Sequence, residues 1–272
     1  MERFSHSPPE MLAGLWRHRE LVASLARRDV VGRYRGSILG LLWSFLSPLM
    51  MLMVYTFVFS VVFRARWNQA GESNVEFALV LFAGLMVFNL FAECINRAPG
   101  LVLANVNYVK KVVFPLDILP WISLGSALFH FAVSFVVWLV FYVIQFGAPP
   151  PTILLLPLVL LPVVLFTMGG AWFLASLGVY LRDASQVVGI ATTALMFVSP
   201  IFYPLSALQE PYKSILRWNP LVPAIEYARD VLIWGRMPDP AGFLLYLAAA
   251  TLVAWLGFVW FQKTRKGFAD VV

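Results

Sequence analysis

Long apolar stretches alternate with short polar segments along this chain, and they set the expected architecture. A helix that crosses a membrane needs about 20 predominantly apolar residues. Six stretches are long enough: residues 38–63, 77–95, 119–145, 153–181, 186–205 and 241–262. The pattern therefore predicts an all-α integral membrane protein with six transmembrane helices. It has an N-terminal segment at 1–37 and a single six-span transmembrane domain at 38–272.

The segment at 1–37 has its own helical pattern. Ser7, Pro8 and Glu10 have the spacing of a capping box with proline in the first turn. Apolar residues then recur on one face: Met11, Leu12, Leu15, Trp16, Leu21, Val22 and Leu25. Arginines lie between them, so the sequence predicts an amphipathic helix in the cytoplasmic membrane interface. The alternative is a helix that packs on a soluble partner.

Two further segments are too polar or too short to span. In the first, Asn96–Pro120, apolar residues with helical spacing lead to Lys110-Lys111, where cations suit a helix C-terminus. This predicts a short helix on the cytoplasmic face, with simple positive-inside anchoring as the alternative.

The second segment contains two short apolar stretches, at 207–217 and 220–234. Asn219 and Pro220 can start the second stretch, and Gly235 can stop it. The pattern predicts a helical hairpin that enters the membrane and returns, ahead of a last span that Asp239 caps.

Charge and composition agree with a membrane protein. The chain is 61% hydrophobic and 12% charged, whereas soluble domains carry about 25% charged residues. Most Lys and Arg residues fall in the loops on the side of both termini, which predicts cytoplasmic termini. The net charge of +6 follows from this topology and does not indicate nucleic acid. The single cysteine excludes an internal disulfide, and the N-terminus does not resemble a cleaved signal peptide.

Ionisable residues inside the spans are few, and such residues mark function by default. Glu93 and Arg97 are four residues apart and should pair on one helical face. His130 has no second histidine or carboxylate near it in sequence, which favours a bond to neighbouring backbone over a proton relay. In the hairpin, the spacing of Glu226, Arg229 and Asp230 lets them neutralise one another.

No catalytic motif accompanies these groups. None of the five lysines follows a glycine, so a Gly-Lys-Ser/Thr phosphate loop is missing. The sequence also contains no zinc-protease or serine-hydrolase motif and no metal cluster, so we expect no catalytic, cofactor-binding or metal-binding residues. A transporter subunit driven by a partner fits best. A membrane-embedded transferase for lipid-linked sugars is the alternative, and a structural scaffold is third.

Several motifs, in order along nearly the whole chain, resemble the permeases of polysaccharide-exporting ABC transporters of the ABC-2 type. They are Arg28-Asp29, Arg33-Tyr34, Leu39-Gly40, Trp43, Pro48-Leu49, Asn105, Tyr108, Lys110-Lys111, Phe114-Pro115, Leu119-Pro120, Leu181-Arg182-Asp183, Trp218-Asn219-Pro220-Leu221 and Tyr227-Ala228-Arg229-Asp230. The likeness is strongest to the membrane subunit of O-antigen exporters, with capsule and teichoic acid exporters as close relatives.

The resemblance implies a homodimer in the bacterial cytoplasmic membrane with a pore at the subunit interface. Two ATPase subunits would bind ATP and Mg, and the cargo would be an undecaprenyl-pyrophosphate-linked polysaccharide. The segment that docks into the ATPase would contain Asn105, Tyr108, Lys110, Lys111 and Phe114.

Two kinds of side chain are candidates for contact with such a cargo. Aromatic rings stack on sugars, and Trp and Tyr also offer a polar group, so Trp43, Tyr55, Phe202 and Tyr203 are candidates for the wall of the translocation path. Their alternative role is packing. Guanidinium groups pair bidentately with phosphate, so Arg17 and Arg28 are candidates to bind the lipid pyrophosphate.

Overall fold

A computed structural model describes residues 7–58, 74–109 and 114–271, and all regular secondary structure in these residues is helical. The helices are α1 (Pro8–Arg17), α2 (Arg19–Tyr34), α3 (Trp43–Tyr55), α4 (Asn74–Arg97), α5 (Val106–Val109), α6 (Leu119–Phe146), α7 (Leu156–Tyr180), α8 (Ala184–Val198), α9 (Tyr212–Leu216), α10 (Leu221–Arg229), α11 (Pro240–Thr264) and α12 (Phe268–Val271). The all-helical fold is confirmed for this part of the chain.

Five helical segments of the described residues are long and apolar enough to cross a membrane. They are Gly40–Val58, Val75–Gly100, Leu116–Phe146, Pro151–Tyr180 and Pro240–Val271. The first was predicted to reach residue 63, and residues 59–63 lie outside the described residues. The remaining predicted span, 186–205, corresponds to α8, which ends at Val198. Fifteen helical residues rise about 22 Å, less than the roughly 30 Å of a hydrocarbon core.

Helix α4 forms the centre of the packing. It contacts α3, α6, α7, α8 and α10, and its residues from Phe77 onward are almost all buried. Beside it, α7 and α11 pack closely at Gly169 and Gly257. Any side chain on Gly257 would collide with the backbone of Gly169. Small residues at this position thus let the two helix backbones approach each other.

The N-terminal segment forms two helices, with a break at His18. Ser7 is the N-cap residue of α1 but makes no side-chain capping bond, and Glu10 instead pairs with Arg17 at 3.1 Å. The predicted capping box is therefore wrong. Leu12 and Trp16 of α1 are exposed, whereas Val22, Ala26 and Val30 of α2 are buried. Because α2 packs on α6, most of its apolar face is covered by the chain itself.

The hairpin before α11 follows its local signals closely. Asn219 Oδ1 accepts a hydrogen bond from the Leu221 N–H at 3.0 Å, and Gly235 ends the segment with a φ of 63°, in the left-handed region. The predicted cap of α11 is confirmed, because Asp239 Oδ2 accepts from the Gly242 N–H at 2.7 Å. The first helix of the hairpin, α9, is shorter than the predicted 207–217.

Candidate functional site

The polar groups of the predicted spans meet side chains of α2. Arg97, at the end of α4, donates from its two terminal nitrogens to the two carboxylate oxygens of Asp29 at 2.6 and 2.7 Å. Ser126 of α6 donates to the same carboxylate at 2.5 Å. Burial alone would raise the pKa of Asp29, but these hydrogen bonds and the Arg97 charge outweigh it and hold the pKa below its ordinary value. One carboxylate thus joins three helices.

A second cluster lies around Glu93, one turn before Arg97 on α4. Arg33 of α2 donates to Glu93 Oε1 at 2.6 Å, and His130 Nδ1 lies 3.0 Å from Glu93 Oε2. The Tyr34 hydroxyl is 3.2 Å from His130 Nε2. A neutral imidazole with its proton on Nδ1 satisfies both contacts, donating to Glu93 and accepting from Tyr34.

Two sequence-based interpretations need correction here. His130 does not bond neighbouring backbone, because its partners are a carboxylate 37 residues away and a tyrosine on α2. Glu93 and Arg97 do approach to 3.9 Å, but each has a closer partner in α2. The sequence therefore correctly predicted that Glu93 and Arg97 lie near each other on α4. It did not predict their closer partners, because the sequence alone does not show where α2 packs.

Two of the predicted coupling residues lie together beside α2. Tyr108 accepts a hydrogen bond from Arg28 at 2.9 Å and stacks on Phe114 with 4.2 Å between ring centroids. Arg265, which follows α11, donates to the Phe114 carbonyl at 3.2 Å. Asn105 bonds the carbonyl of Leu101 at 2.8 Å. Lys110 and Lys111 lie outside the described residues.

Two cavities border the polar clusters. The smaller, about 530 Å³, lies between α2, the end of α4 and the start of α6, and its polar lining is Arg28, Asp29, Arg33, Arg97, Asn105, Tyr108 and Ser123. The larger, about 600 Å³, lies between α3, α4 and α6. Arg33 lines both, so the two cavities are neighbours.

The predicted path and phosphate-binding residues are distributed over several places. Tyr55 lines the larger cavity, whereas Trp43, at the other end of α3, is exposed. Phe202 stacks on Phe197 at 5.8 Å, and the Tyr203 hydroxyl donates to the Val198 carbonyl. Of the two arginines, Arg28 lines the smaller cavity, and Arg17 pairs with Glu10 on α1 with 60% of its side chain exposed.

Arg229 has a larger role than its sequence context predicted. Its pairing with Glu226 is present at 3.1 Å. The guanidinium also donates to three backbone carbonyls, of Val80 at 3.1 Å, Pro200 at 2.6 Å and Ile201 at 2.9 Å, and the side chain is 1% exposed. It therefore ties α10 to α4 and to the turn after α8. In the sequence, the feature that could have indicated this role is the one arginine within the short, mainly apolar helix α10.

These features define a multi-pass helical membrane protein whose polar contacts join its spans to an N-terminal helix. The sequence model of the ABC-2 type transporter family matches residues 20–233. The chain belongs to this family of transporter membrane subunits.

Similar proteins extend the match over nearly the full length. The chain is 29% identical over 260 residues to RfbA of Myxococcus xanthus, an O-antigen export system permease, covering 95% of this chain and 97% of that protein. An O-antigen export permease RfbA of Klebsiella pneumoniae is 27% identical, with 93% and 95% covered. The polysialic acid transport protein KpsM of Escherichia coli is 27% identical, with 90% and 93% covered. These relatives are permeases or transport proteins for polysaccharides.

Proposed function

We propose that this chain is the permease subunit of an ABC exporter that moves a lipid-linked polysaccharide of O-antigen type across the cytoplasmic membrane. The observation that carries the proposal is the end-to-end match to O-antigen export permeases. Because the sequence has no phosphate loop, the ATP and Mg would be bound by two separate ATPase subunits. The similarity to KpsM makes a capsular polysaccharide the second candidate cargo.

The functional unit in this proposal is a homodimer of six-span subunits. Helix α8 alone is short for a span, but the residues after it are buried, and Arg229 satisfies the carbonyls of Pro200 and Ile201. Irregular backbone is tolerated at membrane depth when protein satisfies its polar groups. The segment from Ala184 to Tyr203 can therefore complete a crossing that its helix begins, and the hairpin of α9 and α10 would follow on the outer side.

Both termini should then be cytoplasmic. In a Cys94-free background, cysteines placed near Asn68 and near Glu210 should react with a membrane-impermeant thiol reagent added from outside, because positive charges in the short loops hold the opposite face inside. Cysteines near Glu2 and Val272 should react only after the membrane is permeabilised. Outside labelling at the termini with protection near Asn68 and Glu210 contradicts this topology.

The segment from Val102 to Phe114 is the proposed contact with the ATPase. Tyr108 bonds Arg28, and the next residue of α2, Asp29, binds Arg97 of α4. A movement imposed on this segment would therefore act on α2 and through it on α4 and α6. Lys110 and Lys111, which lie within the segment, would add charge contacts to the partner.

Purification of the chain from native membranes should recover an ABC ATPase and a lipid-linked glycan. Reversing Lys110 and Lys111 to glutamate should reduce ATPase recovery by about fivefold or more. The two new negative charges would face an ATPase surface that is complementary to lysines and would be repelled by it. The measurement is the ratio of ATPase to permease after affinity purification, together with surface polysaccharide.

The matched control reverses Lys213 and Arg217 in and after α9, which changes the net charge equally on the proposed outer side. That variant should retain the ATPase. Full ATPase recovery and full export with Lys110 and Lys111 reversed would show that these two lysines do not contribute to coupling. Purification of the wild-type chain without any ABC ATPase would contradict the proposed function itself.

The polysaccharide would contact aromatic side chains on its way, with Trp43, Tyr55, Phe202 and Tyr203 as proposed wall residues. Arg28 and Arg17 are the proposed contacts for the lipid pyrophosphate. Arg28 is the better supported of the two, because it lines the smaller cavity. Arg17 instead pairs with Glu10.

A further inference from the structure

The larger cavity exposes polar side chains that have no hydrogen-bond partner in the described part of the chain. Between Phe77 and Ile95 every residue of α4 is buried except Asn89 and Glu93, and both line this cavity. The Asn89 amide has no hydrogen-bond partner among the described residues. The same holds for the hydroxyls of Ser47 on α3 and Ser134 on α6, which also line the cavity. Lipid tails cannot bond these groups, whereas water or the hydroxyl groups of a ligand in the cavity can.

The lining combines these polar groups with apolar and aromatic surface. Its apolar and aromatic members include Tyr55 of α3, Phe82 and Met86 of α4 and Phe131 of α6. The lining residues of α3 and α6 recur every three or four positions, as in Ser47, Met51 and Tyr55 on α3, so each of these helices contributes one face to the cavity. The volume of about 600 Å³ falls within the range of about 300–1,000 Å³ typical of small-molecule sites.

The charges at one end of the cavity compensate one another. Glu93 accepts from Arg33 at 2.6 Å and contacts His130 at 3.0 Å, which leaves neither the carboxylate nor Arg33 available as a lone charge. An anionic headgroup would meet no uncompensated cation here. A ligand with hydroxyl groups and an apolar ring face matches the amide, the two serines and the aromatic rings.

We propose that the cavity between α3, α4 and α6 is a sugar-binding site within each subunit, which holds uncharged sugar residues of the exported polymer. This inference rests on the proposed function and deepens it. The Asn89 amide binds sugar hydroxyls near Glu93, while Tyr55 and Phe82 offer surfaces to the ring. Arg33 separates this site from the smaller cavity with Arg28, so a pyrophosphate bound there would present its first sugars to Asn89.

Replacing Asn89 by leucine tests the site, because leucine has a similar volume and no hydrogen-bonding group. We expect export to fall by about five- to tenfold, the loss that corresponds to about one hydrogen bond. The thermal midpoint of the purified complex should stay the same or rise, because an unpartnered amide leaves a spanning helix. A residue with only a structural role would lower both quantities.

Two variants accompany this change. Asn89→Gln, which keeps the amide, should restore part of the export. Gln145→Leu removes an exposed amide near the end of α6, outside the cavity lining, and should leave export unchanged. Wild-type export in Asn89→Leu overturns the proposed site.

Cross-linking identifies the occupant directly. A photoreactive benzoylphenylalanine at Ser134, in a complex stalled by a hydrolysis-deficient ATPase partner, should give adducts that a periodate–Schiff glycan stain detects. The same group at Leu158, an exposed residue of α7, should give lipid adducts only. Lipid adducts alone, or no adducts, at Ser134 in a complex whose unmodified form exports polysaccharide overturn the site and leave the proposed function standing. An unmodified complex that exports no polysaccharide overturns both.

Discussion

Replacement of Arg229 by alanine is expected to remove most of the folded protein from the membrane. The side chain is 1% exposed and pairs with Glu226, and it satisfies the carbonyls of Val80, Pro200 and Ile201. Glu226 is 38% exposed and can be solvated after the change, but three buried carbonyls lose their donor, and each unsatisfied buried acceptor costs about 1–3 kcal/mol. The loss is comparable with the stability of a whole domain.

The measurements are the amount of folded permease in detergent extracts and its thermal midpoint. Arg229→Lys should fail nearly as completely, because an ammonium group cannot reproduce a planar fork that reaches three carbonyls. Arg217→Ala, in the same hairpin but exposed, should behave as wild type. A stable and monodisperse Arg229→Ala protein would show that other contacts hold the turn after α8.

Reversing the charge of Asp29 or of Arg97 is expected to reduce export at least tenfold. Asp29→Arg places a cation against Arg97 and near Arg33, and it removes two charge-assisted hydrogen bonds between α2 and α4. Such bonds contribute about 1.5–3 kcal/mol each. Because α2 also contacts Tyr108 through Arg28, detaching it from α4 should separate the proposed coupling segment from the spans.

The double variant Asp29→Arg with Arg97→Asp restores opposite charges and should recover a substantial part of export. Arg27→Asp, on the same helix but exposed, is the matched control and should export normally. Surface polysaccharide and the thermal midpoint are measured for all four variants. A double variant as inactive as the singles would mean that the pair acts through something other than mutual attraction.

The Asp29 pair also sets a pH dependence. Because the folded pKa of Asp29 lies below its ordinary value, ionised Asp29 stabilises the fold at all pH values above that ordinary value. This stabilisation is lost as the pH falls through the folded pKa. Asp29→Asn should therefore be less stable than wild type at neutral pH and should lose less stability on acidification.

The sequence by itself determined the class of protein and the local ends of several helices. Hydropathy adds up along consecutive residues, so five of the six spans predicted from the apolar stretches correspond to helices long enough to cross a membrane, without knowledge of their packing. Caps depend on residues two or three positions apart, which is why Asn219, Gly235 and Asp239 were placed correctly. The ordered motifs identified the family before any helix was positioned.

Only the tertiary structure decided which polar groups meet. Arg97 pairs with a carboxylate 68 residues away, Arg33 with one 60 residues away, and Arg229 bonds a carbonyl 149 residues away. These partners depend on how each helix rotates and packs against its neighbours, and spacing along one helix does not encode that rotation. The same packing exposes Asn89 to a cavity rather than to lipid, although its position in α4 resembles that of its buried neighbours.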